Sequence, residues 1–203
     1  MRIKDEEQIE KRRYEILEEA KKLMIEQGLE TLSMRKLADR IHMTPGILYH
    51  YFANKEALMK AIVSDGYQDI LAILRQTNTQ GLTLDETIYA MFYAYIKGML
   101  ERQELYSILM NAKYPSIAAQ TQMLKEGLSQ ERSSIQMLCG QIEEGKRQGI
   151  YICENVERRA QCIWCGVYGL IDRIIKEQVK GKQQERLIQE QLKMLIGSLR
   201  YVK

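Results

Sequence analysis

Only two prolines, Pro45 and Pro115, interrupt the backbone donors of this 203-residue chain. Proline deletes one helix hydrogen bond and clashes with the turn before it, so a chain this poor in proline can coil over long stretches. Those stretches are filled with Leu, Ile, Glu, Lys, Gln, Met and Ala, most of which lose little side-chain freedom in a helix. The chain therefore reads as all-α. No run of about 18 apolar residues occurs, and the first thirty residues are highly charged, so neither a membrane span nor an export signal is expected. Four cysteines (Cys139, Cys153, Cys162, Cys165) fall in the last third, too few for a disulfide framework, so reduced thiols in a cytoplasm are expected.

Apolar periodicity places the helices. Ile16, Ala20, Leu23 and Met24 recur at helical spacing within residues 9–27, and Gly28 supplies a stop. Ser33 offers an N-cap oxygen ahead of Met34, Leu37, Ala38 and Ile41, the stripe of a short second helix. Thr44 and Pro45 form a cap and first-turn pair that opens a third helix, which ends near Phe52. Asn54 caps a longer fourth helix carrying Leu58, Ile62 and Leu74.

Two short helices joined through His42 and Met43 suit a helix-turn-helix over about residues 33–52, although periodicity alone equally allows a plain helical hairpin. Charge and aromatic placement favour the DNA-binding form. The net charge is only +3, but residues 31–60 hold five Lys/Arg (Arg35, Lys36, Arg40, Lys55, Lys60) against Asp39 and Glu56. Arg35 and Lys36 occupy a first turn, where the macrodipole disfavours cations and the free N–H groups attract phosphate. Tyr49, His50 and Tyr51 are consecutive, so they cannot all join Leu48 and Phe52 in a core. Outward tyrosines and a histidine can hydrogen-bond phosphates, and Gly46 permits close backbone approach.

The run Thr31-Leu-Ser-Met-Arg-Lys-Leu-Ala-Asp-Arg-Ile41, followed by Met43-Thr-Pro-Gly-Ile-Leu-Tyr-His-Tyr-Phe-Ala-Asn-Lys-Glu-Ala-Leu58, resembles the DNA-binding segment of TetR-type transcriptional regulators. The likeness covers roughly residues 9–60. It implies that Arg35 touches a phosphate or base edge, with Ser33 and Lys36 beside it. It also implies that Thr44 caps the third helix and meets the DNA backbone, and that Tyr49, Tyr51 and Lys55 hold phosphates. The base-reading positions would be Pro45, Gly46, Ile47 and His50, with Ile47 limited to apolar contact such as a thymine methyl. His42 stands where such proteins often have glycine; histidine is among the non-glycine residues that adopt positive φ.

The remaining chain continues the helical pattern. Thr83 and Glu86 form a capping box ahead of Ile88, Met91, Phe92, Tyr95, Ile96, Met99 and Leu100. A sixth helix carries Tyr106, Leu109 and Met110 before a loop around Pro115. A long seventh is expected from about Ser116 to Arg147, closed by Gly149. Asn155 caps an eighth reaching about Val179, and a ninth follows Gly181. The expectation is thus about nine helices. The resemblance implies a helix-turn-helix DNA-binding domain over residues 1–60 and a helical effector-binding and dimerisation domain over residues 61–203.

By the resemblance, the last two long helices pair with a second copy in a four-helix bundle. Independently, Cys162, Gly166 and Gly169 form a stripe of small residues, and Ile188, Leu192, Leu195 and Leu199 form a near-heptad seam. Both stripes can also bury within one chain. A homodimer implies a palindromic site on double-stranded operator DNA. The resemblance also implies a small-molecule pocket, for which Met91, Phe92, Tyr95, Met99, Tyr106, Met110, Met137, Trp164 and Tyr168 are suitable lining, though the same side chains suit an ordinary core.

Cys162-Ile-Trp-Cys165 falls mid-helix without a preceding strand, so packed thiols are the expectation and redox sensing the alternative. His42 and His50 have no ligand-spaced partners, so neither a metal nor any other cofactor is expected. No nucleophile, base and orienting group recur together, which argues against an enzyme and leaves no catalytic residue to name. Two readings remain: an effector-responsive regulator, usually a repressor in such proteins, and an effector-independent architectural or division-linked DNA binder on the same fold.

Overall fold

The computed structural model describes residues 2–110, 117 and 121–200. Among them it contains ten α-helices, two single-turn 3-10 helices and no strand. The chain divides into two compact units, one made of Met1–Tyr67 with Glu104–Thr121 and the other of Gln68–Gln103 with Gln122–Lys203.

In the first unit, α1 (Arg2–Gln27) stops at Gly28, whose φ of 85° only glycine adopts readily. A 3-10 turn (Leu29–Thr31) leads to α2 (Met34–Arg40), then α3 (Pro45–Tyr51) and the start of α4 (Lys55–Gln76). Ile16, Ala20 and Met24 of α1, Leu37 and Ala38 of α2, Leu48 of α3 and Leu58 and Ile62 of α4 are all at most 1% exposed and form one core. Each large side chain so buried contributes about 1.5–3 kcal/mol relative to exposure. Polar ties reinforce this core. The Lys21 ammonium donates to Glu18 at 2.6 Å and Asp65 at 2.5 Å, joining α1 to α4.

In the second unit, α5 (Leu84–Glu101) begins with the expected capping box: the Thr83 hydroxyl accepts from Glu86 N at 3.3 Å while Glu86 accepts from Thr83 N at 2.9 Å. α6 (Gln103–Met110) follows, nearly all of it in the first unit. Beyond it come α7 (Leu128–Glu131), α8 (Ser133–Arg147), α9 (Val156–Lys176) and α10 (Gly181–Gly197). α9 packs on α5, α8 and α10, and α10 packs on α5. The shared core holds Ile88, Tyr95 and Ile96, then Ile135 and Ile142, then Ile163, Trp164 and Ile171, then Ile188 and Leu192.

The long seventh helix expected from the sequence is not continuous. Its start at Ser116 and the loop around Pro115 lie outside the described residues, but residues 122–127 are non-helical and Arg132 is extended (φ −126°, ψ 112°) between α7 and α8. The cause is tertiary. The Glu157 carboxylate of α9 accepts from Gly127 N at 3.1 Å and Ser129 N at 2.6 Å, and Gln161 donates to the Lys125 carbonyl at 2.8 Å. Those bonds hold the backbone off the helical path, with Gly127 at φ 79° making the turn. No helix among the described residues is long and apolar enough to cross a membrane.

Candidate nucleic-acid interface and apolar cavity

The turn between α2 and α3 is closed by backbone geometry. His42 has φ 53°, Met43 N donates to the Ala38 carbonyl at 2.9 Å and His42 N to Asp39 at 3.3 Å, the paired bonds of a Schellman C-cap. The histidine therefore fills a left-handed position that glycine fills without strain. At the start of α2 the Ser33 hydroxyl accepts from Lys36 N at 3.2 Å, and at the start of α3 the Thr44 hydroxyl accepts from Ile47 N at 3.4 Å. Each such cap contributes about 1 kcal/mol.

α3 is anchored by few residues. Leu48 and Phe52 are buried and Tyr51 is half-buried against the same core, whereas Thr44, Pro45, Gly46, Ile47, Tyr49 and His50 are exposed. Ile47 and Tyr49 are each 49% exposed. Arg35 and Lys36 are exposed on α2 with no ion pair among the described residues. These side chains and the two capped helix starts make an exposed polar and aromatic surface.

The basic patch read from composition is narrower than expected. The Arg40 guanidinium donates to Glu19 at 2.9 Å and bidentately to Glu26 at 2.6 and 2.8 Å, tying α2 to α1, and Lys60 pairs with Glu56 at 3.3 Å. Lys55 is half-buried and donates to the Leu29 carbonyl at 3.3 Å, so part of its role is to fasten the turn after α1. Arg13 was not among the sequence candidates. Its guanidinium donates to the Tyr51 carbonyl at 2.6 Å and lies 4.6 Å from the Phe52 ring centroid, capping the C-terminus of α3 where a cation suits the macrodipole. Nothing in the local sequence marks Arg13, because its partner is 38 residues away.

In the second unit a cavity of about 10 Å3 lies among α4, α5, α8 and α9, room for about one water-sized molecule. Met91, Phe92 and Trp164 of the expected set line it; Leu74, Ile88, Ser134, Leu138 and Gln141 line it too and were not anticipated. Tyr95 and Phe92 meet Trp164 edge-on, with centroids 5.0 and 4.8 Å away, and Tyr168 lies 5.7 Å from it. Met99 is buried and Met137 half-buried, but neither lines the cavity. Tyr106 and Met110 fall in the first unit, Met110 exposed, so they are removed from the lining of this cavity. The Trp164 Nε1 is buried with no hydrogen-bond partner among the described residues, a loss of about 1–3 kcal/mol for a stranded donor.

The expected dimer stripes also need correction. Ile188, Leu192 and Leu199 are 0% exposed within the single chain, so they cannot form a face for a second copy. Gly166 serves the chain's own packing: a Cβ there would stand 3.0 Å from Leu195, which is half-buried against it. Cys162 and Gly169 are exposed, as are Leu187 and Met194 of α10. Cys162 and Cys165 are both exposed, contrary to the expectation that they pack as core thiols, because the buried face of α9 is filled by Ile163, Trp164 and Val167. Among the described residues no three His, Cys, Asp or Glu gather as a metal set.

A helix-turn-helix whose second helix is capped and exposed has the geometry of a DNA-binding motif. The model for bacterial regulatory proteins of the tetR family matches residues 16–62. UidR of Escherichia coli K12, an HTH-type transcriptional regulator, is 36% identical over 64 residues, 32% of this chain and 33% of that one. KstR2 of Rhodococcus jostii RHA1, an HTH-type transcriptional repressor, is 32% identical over 80 residues, 39% of each chain. The match thus spans between a third and two fifths of these relatives. The solved structure of Salmonella enterica GusR superposes with a TM-score of 0.72 at 22% identity, over 93% of this chain and 95% of that one, a likeness of fold. Residues 16–62 are thus similar to the DNA-binding segment of the tetR family, within a chain that shares its fold with GusR.

Proposed function

We propose that this protein is a transcriptional repressor that binds a palindromic operator as a homodimer and releases it when a small-molecule effector binds. The observation that carries the reading is the exposed face of α3. Ile47 and Tyr49 are half exposed beside His50, on a short helix whose N-terminal turn is capped and unobstructed. An exposed isoleucine and tyrosine beside a capped helix start suit contact with a thymine methyl and a phosphate. In a major groove Pro45, Gly46, Ile47 and His50 reach base edges, while Ser33, Arg35, Lys36, Thr44, Tyr49, Tyr51 and Lys55 fix the phosphates. Repression is proposed from the relative KstR2, which is a transcriptional repressor.

Residues 1–60 act as the DNA reader and residues 61–203 as the effector and dimerisation part. The exposed strip of Cys162, Gly169, Leu187 and Met194 on α9 and α10 supports a self-association face. Two copies set two α3 helices in successive major grooves, and an effector that prefers a different spacing releases DNA in proportion to its differential affinity. α4, whose residues belong to both units, is the natural lever.

The test is selection of bound fragments from random duplex DNA, followed by salt-dependent affinity for the winning site with wild type and Tyr49→Ala. A palindrome whose affinity falls with salt, and about tenfold or more with the substitution, supports the reading. Enrichment of no site, or equal binding by Tyr49→Ala, overturns it.

A further inference from the structure

We infer that the buried indole of Trp164 is the anchor of a binding site for an uncharged, largely hydrocarbon molecule that carries one hydrogen-bond-accepting oxygen, such as a ketone, ester or lactone. This deepens the effector-responsive reading above and rests on it.

Trp164 is 2% exposed, lines the cavity, and keeps its Nε1 without a hydrogen-bond partner among the described residues. An indole N–H is a donor only, so the group that completes it must accept. The edge-on rings of Phe92 and Tyr95 hold the indole in place, so the donor is fixed before any ligand arrives.

The rest of the lining sets the ligand's body and charge. It is apolar apart from Ser134 and Gln141, and no ionisable side chain takes part. A carboxylate or ammonium entering it would lose its hydration with no opposite charge to meet, whereas a carbonyl or ester oxygen meets the indole N–H and leaves its hydrocarbon against Leu74, Ile88 and Met91. At about 10 Å3 the cavity is far below the ~300 Å3 that a small organic ligand fills. Binding therefore populates an opened form, and Met91, unbranched and half-buried, is the side chain best able to swing aside.

The chain has one tryptophan, so its emission reports on this site alone. The full-length protein is titrated with methyl heptyl ketone, nonanoate and nonylammonium, reading tryptophan emission and, in parallel, calorimetry. The expected result is a saturable response to the ketone, with both charged probes weaker by about tenfold or more. Trp164→Phe, followed by calorimetry, should weaken the ketone about tenfold, the worth of one neutral hydrogen bond. Should that variant fail to fold, Met91→Glu, at a half-buried position, should weaken the ketone and strengthen nonylammonium.

No response to the ketone, equal or tighter binding of nonanoate, an unchanged ketone affinity in a folded Trp164→Phe, or unchanged probe preferences in Met91→Glu each overturn the inference. Operator selection with the ligand-free protein tests DNA recognition separately. A protein that enriches a palindrome but ignores the ketone fails here alone, and one that binds the ketone but enriches no DNA fails only the regulatory reading.

Discussion

Gly145 offers a sharp test of how α8 is closed, because opposing effects of known size meet at one atom. A Cβ on Gly145 would stand 1.9 Å from Tyr151 Cδ2 and 2.4 Å from Cε2, where carbon pairs rest at about 3.5–4.0 Å. The neighbour is a rigid ring only 3% exposed, and its hydroxyl donates to Asp85 at 2.7 Å, so it cannot retreat without breaking that bond. Overpacking of this kind costs about 1–3 kcal/mol. Losing a hydrogen bond to a carboxylate costs about 1.5 kcal/mol or more, taken at the low end because Asp85 also binds Arg200 and is partly exposed. Against these stands a gain of about 1 kcal/mol from alanine's helix propensity. Gly145→Ala should therefore destabilise by about 1.5–3.5 kcal/mol, lowering Tm by roughly 3–14 °C in a chain of this size. Urea denaturation and calorimetry measure it. In a Tyr151→Leu background the same substitution should turn neutral or stabilising, since the ring is gone and only propensity remains. A stable Gly145→Ala, or an equal loss in both backgrounds, would refute the reasoning.

Three further outcomes are expected. His42→Gly should stabilise the protein by about 0.5 kcal/mol, relief of left-handed strain less glycine's unfolded-state entropy, read as a higher urea midpoint; a lower midpoint would mean that the imidazole makes a contact of its own. Backbone hydrogen bonds, chiefly from Ser129 and also from Gly127, hold the Glu157 carboxyl below its usual range, so its stabilisation is complete above the unfolded carboxylate pKa and lost as pH falls through the folded one; Glu157→Gln should flatten that acid limb in pH-dependent melting. Burial pushes the Cys139 thiol up to about 11, so at neutral pH a maleimide followed by mass spectrometry should label the exposed Cys165 before Cys139.

Local chemistry made part of this molecule legible in advance. The Thr83–Glu86 capping box, the Asn155 cap and the Thr44–Pro45 start each depend on residues within three positions of one another, and each forms as its sequence dictates. The alternation of Leu48 and Phe52 with exposed Ile47, Tyr49 and His50 likewise follows from 100° per residue about one short helix. The resemblance to TetR-type DNA-binding segments was readable because its marks crowd into residues 31–58, inside the 16–62 stretch that the family model matches.

What only the tertiary structure decided involves partners distant in the chain. Arg40 counted as one of five cations in a basic patch until Glu19 and Glu26 of α1 claimed it, and Arg13 counted as nothing until the end of α3 met it. The periodicity of residues 116–147 favoured one long helix, yet Glu157 and Gln161, about thirty residues on, bind the backbone that had to leave it. The seam of Ile188, Leu192 and Leu199 reads the same whether it faces its own chain or a second copy, because both environments exclude water from the same apolar groups; packing on α5 and α9 chose the first. Sequence fixes the pattern of each helix face, and only the packed fold determines what that face meets.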